Sequence, residues 1–142
     1  MSRRAAIYNT VAGTRVPRTA LARLAEIVLR GERRKQGVVL VFIDDRRMSS
    51  LNRQFRGKDK TTDVLSFNMN EPDDPLLGEI YISIAEARRN AREYGIPPTQ
   101  EILKLFCHGL LHLCGIHHPT PKKRAVMAAK EDAYLRRLAR SC

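Results

Sequence analysis

All four histidines of the chain lie between positions 108 and 118, in the stretch HGLLHLCGIHH. His108 and His112 are four residues apart. On a helix that spacing puts both imidazoles on one face, about 6 Å apart along the axis, where they can share one metal ion. Gly115 can take a left-handed backbone and turn the chain back, which returns His118 to the same point. Three neutral imidazoles leave a fourth tetrahedral position for water, the pattern of a catalytic rather than a structural zinc. Such an ion lowers the pKa of its water to about 7. The expectation is one Zn2+ held by His108, His112 and His118, although imidazole also suits copper, nickel and iron. Cys107 and Cys114 point about 100° around the helix from their histidine neighbours and read as small core residues.

The same spacing occurs in zinc proteases of the HExxH type, where a glutamate beside the first histidine is the general base. Here that position is Gly109, which takes no proton, so the residues argue against peptide hydrolysis.

The elements that position the histidines alternate between strand and helix. Strands are expected at residues 5–9, 37–43, 63–68 and 78–82. A helix follows Pro17 to about Arg30, and a short one covers Met48 to Phe55. The polar stretch 56–63 reads as a loop. Ser83 and Glu86 form a capping box at the start of the next helix, which ends at Gly95. The helix carrying His108 and His112 runs from about Thr99 to Cys114. It is apolar on nearly every side and belongs at the centre of the fold. Thr120 and Pro121 open a last, basic helix. These elements predict a single domain over residues 1–142 of the α+β (or α/β) class: a small mixed four-stranded sheet covered by about five helices, with the buried central helix carrying the metal ligands.

The chain has 26 Lys+Arg against 15 Asp+Glu, a formal net charge of +11. That excess favours a polyanionic partner such as nucleic acid. The charge is uneven: the segment 61–103 holds eight acidic residues and only Arg88, Arg89 and Arg92 as basic ones. Three cysteines make no disulfide framework, the N-terminus has no apolar signal region, and no apolar run is long enough to span a membrane. A cytoplasmic location without membrane contact is the expectation.

Two stretches carry a family resemblance. HGLLHLCGIHH resembles the HGxLHLxGYDH signature of the YbeY family of rRNA maturation factors, and FRGKDKTTDVLSFN (55–68) resembles that family's FRGKDKPTDVLSFP-like segment. LGEI (77–80) is similar to its LGDI. The likeness covers most of residues 36–119. It implies a metal-dependent endoribonuclease that acts on single-stranded RNA in small-subunit 16S rRNA maturation and ribosome quality control. The metal would sit on His108, His112 and His118. Arg56 matches the family's invariant arginine, and a guanidinium is suited to a scissile phosphate. Lys58 and Lys60 would help to hold the RNA backbone. A ribosomal protein and a ribosome-associated GTPase are further candidate partners. Departures are His117 for the family's aspartate, Thr61 and Asn68 for prolines, and Glu79 for the aspartate of LGDI. The alternatives are a non-catalytic rRNA or ribosome assembly factor with a structural metal and, with less support, a metallopeptidase.

Overall fold

The computed structural model describes residues 4–57, 62–69, 71–117 and 120–141. The strands are β1 (Ala5–Asn9), β2 (Gly37–Ile43), β3 (Val64–Asn68) and β4 (Leu76–Ser83), and the helices are α1 (Arg18–Gly31), α2 (Asp45–Arg56), α3 (Ile84–Tyr94), α4 (Pro98–Leu113) and α5 (Pro121–Arg140). The sheet order is β1-β2-β4-β3. β1, β2 and β4 run parallel, and β3 pairs antiparallel with β4 at one edge. The expected mixed sheet and five helices are therefore present.

Strand alternation divides the apolar side chains between two faces. Leu40, Phe42, Ile80 and Ile82 join α1, α3, α4 and α5 in the main core, whereas Ile43 and Leu65 form a smaller cluster with Met48 of α2. Helix α4 thus lies on one face of the sheet and α2 on the other. Helix α4 buries nine side chains or glycines and packs on β3, β4, α1, α3 and α5, which is why it reads as apolar all round.

Several boundaries differ from the sequence reading. Helix α2 starts at Asp45 rather than Met48, because the Asp44 carboxylate caps it by accepting from Arg47 N at 2.8 Å. It ends at Arg56, so this residue closes a helix instead of opening a loop. β4 begins two residues early, because Gly37 of β2 pairs with Leu76. The capping box before α3 is half formed. Ser83 Oγ accepts from Glu86 N at 3.2 Å, but Ser83 N donates to Asp63 O and the Glu86 carboxylate is taken by Arg89.

Helix α4 sits on the sheet through two glycines. A Cβ on Gly109 would meet Ile80 Cγ2 at 3.0 Å and Ser66 Oγ at 3.1 Å. A Cβ on Gly78 would collide with the Phe67 carbonyl and stand 2.6 Å from Leu113 Cδ2. Overpacking of this kind costs about 1–3 kcal/mol. Gly78→Ala is therefore expected to lower the unfolding free energy by about 2 kcal/mol, read from the midpoint of urea denaturation; an unchanged midpoint would mean that α4 does not rest so closely on the strand.

Candidate metal centre

Helix α4 presents His108 and His112 on one face, as their spacing requires, and the two rings converge. His108 Nε2 and His112 Nε2 are 3.0 Å apart, with ring centroids at 4.6 Å. The other nitrogen of His108 is held from a different helix: Nδ1 lies 2.6 Å from Glu131 Oε2 on α5. A carboxylate only accepts, so Nδ1 of a neutral ring carries the proton and Nε2 keeps its lone pair. Glu131 is largely covered, with 14% of its side chain exposed against 30% for His108.

Glu131 was not found from the sequence, although a signal existed. Met127, Tyr134 and Leu138 form the buried stripe of α5. Glu131 follows Met127 by four residues and precedes Tyr134 by three, so it sits on that stripe as a lone carboxylate. Lys130 Nζ donates to Glu32 Oε2 at 3.1 Å and the Tyr134 hydroxyl donates to the same carboxylate, which ties α5 to the end of α1 and fixes the helix that presents Glu131.

The chain reverses after α4 as expected. Gly115 has φ +86°, Gly115 N donates to His112 O and Ile116 N to Leu111 O, a Schellman ending. Two side chains hold this end: Asn68 Nδ2 donates to Leu113 O at 2.6 Å and Arg34 to Cys114 O at 3.0 Å. Asn68, which stands where the family signature has proline, thus braces the ligand helix. The His117 ring centroid lies 5.5 Å from that of His112. His118, Lys58 and Lys60 lie outside the described residues. Among those described, no three His, Cys, Asp or Glu side chains are grouped to hold a metal. Arg56 is exposed at the end of α2, on the sheet face away from α4.

Cys107 and Cys114 are core residues, as expected. Cys107 is fully buried and Cys114 is 7% exposed. Burial pushes the Cys107 thiol far up and the Cys114 thiol up to about 11, so neither offers a thiolate near neutral pH.

On the N-terminal side of α4, Asn90 Nδ2 donates to Asp63 Oδ2 at 3.1 Å and to Glu101 Oε2 at 3.2 Å. Burial raises the pKa of Glu101, with the Asn90 bond opposing. The bridge fixes the start of β3 beside α4.

Comparison with known proteins agrees with this architecture. The family described as Endoribonuclease YbeY matches residues 7–139. This chain belongs to that family. The endoribonuclease YbeY of Desulforamulus reducens is 42% identical over 132 residues, covering 83% of this chain and 86% of that protein. The endoribonuclease YbeY of Pelotomaculum thermopropionicum is also 42% identical, over 127 residues, covering 83% and 84%. The solution structure of TM1509 from Thermotoga maritima superposes with a TM-score of 0.67 at 30% identity, covering 94% of this chain and 88% of that one. No helix among the described residues is long and apolar enough to cross a membrane.

The residues present fit a metal ion. Two imidazole nitrogens, each about 2.0–2.1 Å from one zinc, would stand slightly over 3 Å apart. Buttressing of a ligand histidine by a carboxylate is a recurrent feature of such sites, and its loss costs about 10–100-fold in affinity. Glu131→Gln is expected to weaken zinc binding to this YbeY chain by that factor in chelator competition; unchanged affinity would make the Glu131 bond incidental to the site.

Proposed function

We propose that this chain is a metal-dependent endoribonuclease that cleaves single-stranded RNA during maturation of small-subunit rRNA, working in the cytoplasm. The observation that carries this reading is the convergence of His108 Nε2 and His112 Nε2 to 3.0 Å, with the His108 ring set by Glu131, in a chain of the YbeY family. Its relatives are named endoribonucleases.

In this reading His108, His112 and His118 hold one Zn2+. The bound ion would supply Lewis acidity and a water of lowered pKa. Glu131 keeps the His108 proton on Nδ1 and its ring aimed. The Leu113 and Cys114 carbonyls, gripped by Asn68 and Arg34, fix the turn that leads to His118. Arg56 grips the scissile phosphate and steadies the charge that builds on its oxygens, and Lys58 and Lys60 hold the neighbouring backbone. The basic excess of the chain favours RNA over an uncharged polymer. Gly109 argues against the protease alternative, since the position of a catalytic glutamate is packed against Ile80 and Ser66.

The test is cleavage of a structured rRNA fragment by highly purified protein beside His112→Ala prepared identically. Wild type is expected to cleave and the variant to lose at least 100-fold. Equal cleavage by both would show that the histidine site is not the source. Absence of cleavage by both, on free RNA and on ribosomal particles, would favour an assembly factor with a structural metal.

Arg56→Ala separates chemistry from structure. Its cleavage rate is expected to fall about 10²–10³-fold, as for other lost charge-stabilising donors, with metal content unchanged. Loss of the metal in that variant would instead make Arg56 structural.

A further inference from the structure

The sheet face that carries α2 is half open. Tyr8, Val41 and Tyr81 stand side by side across β1, β2 and β4, and Val39, Glu79 and Phe67 form the next row across β2, β4 and β3. Helix α2 packs on β4 and α3 and leaves the β1 side of this face uncovered, where Tyr8 is 56% exposed. Phe55, in the last turn of α2, is also 56% exposed. Covering such rings is favourable, so two of them exposed on one face mark it as a contact surface for something outside the chain.

Phe55 is held in place from below. It leans on Phe67, with ring centroids 5.0 Å apart and planes at 60°. Phe67 in turn meets Tyr81 edge-on at 5.8 Å. The Tyr81 hydroxyl donates to Glu79 Oε1 at 3.1 Å, which engages the carboxylate of this face. A ring fixed in advance loses little freedom when a ligand stacks on it. The surround is basic. Arg46, Arg47, Arg53 and Arg56 are all exposed on α2, and the Asp45 carboxylate beside them takes bonds from Arg89 and Ser83. Exposed rings among arginines suit a polyanion that also offers flat uncharged groups, which is a description of single-stranded RNA. An apolar protein surface would instead strip water from the arginines without pairing them. The open face is also close to the ligand helix. Phe67 of the edge strand β3 belongs to it, whereas the next residue, Asn68, reaches Leu113 O of α4 on the other side.

We propose that this face is a stacking platform for single-stranded RNA, on which Phe55 and Tyr8 each take one base and the arginines of α2 hold adjoining phosphates. The proposal rests on RNA being the substrate. Four-stranded sheets that present aromatic side chains bind single strands in this way. Every base has a π-face, so the platform accepts all four bases. A duplex keeps its base faces stacked on one another and offers the rings nothing.

The test is binding of the full chain to a fluorescein-labelled single-stranded ribo-oligonucleotide, read by anisotropy with intact RNA confirmed on a gel, beside a duplex of the same sequence. Phe55→Leu and Tyr8→Leu are each expected to weaken single-strand binding about 10-fold, the effect of one lost base stack, and to leave duplex binding unchanged. Phe55→Tyr, which keeps a ring, should retain the wild-type affinity. The salt dependence should be the same in all these variants, because no phosphate contact is lost. Single-strand affinity that is unchanged in either leucine variant, or an equal loss on the duplex, would overturn the proposal; a face that serves a protein partner gives the first of these results. Should Phe55→Leu fail to fold, Tyr8→Leu decides, since Tyr8 stands on β1, away from α2 and the histidines. Cleavage is measured separately. Ring-dependent binding without cleavage upholds the platform and removes the endoribonuclease reading, whereas cleavage with binding indifferent to both rings does the reverse.

Discussion

Helix α4 rests on the sheet at the distance set by Gly109 and Gly78, and the rest of the site is referred to that contact. With no Cβ at either position, the helix backbone comes down onto Ile80 and Ser66, and Leu113 fills the space over Gly78. The opposite faces of α4 are then available to α1, α3 and α5, so one helix becomes the common partner of most of the fold. A helix seated so closely has little freedom to roll. His108 and His112 therefore leave it in fixed directions, which is what a pair of nitrogens 3.0 Å apart requires.

The helix is also tied at both ends to β3, the strand that runs beside it. At the N-terminal end Asn90 bridges Asp63 and Glu101, and at the C-terminal end Asn68 holds the Leu113 carbonyl. The strand follows directly on the segment that contains Lys58 and Lys60. The opposite sheet face carries α2, whose last residue is Arg56.

Much of this was legible in the residues. The H-x3-H spacing fixed two imidazoles on one helical face, Gly115 announced the turn, and the apolar surround of α4 placed it centrally. Other parts depend on contacts between segments far apart in sequence. Glu131 is 23 residues beyond His108, and only the packing of α5 on α4 makes it a partner. Asn68 shows in the sequence only as a replacement for a signature proline, because its acceptor, Leu113 O, is 45 residues away. Helix α2 starts three residues before the apolar Met48, because the Asp44 carboxylate caps it there. Gly109 was read as a missing catalytic base, and its packing against the sheet supplies the physical reason.

The central claim is that the histidine pair of α4 holds the ion on which RNA cleavage depends. The most direct measurement strips the protein of metal, confirms that it remains folded, and follows cleavage of a single-stranded rRNA fragment as zinc is returned in counted equivalents. No cleavage is expected at the start, followed by a rise that saturates at one ion per chain. Full cleavage by the folded, metal-free protein, or cleavage indifferent to the returned metal, would contradict it.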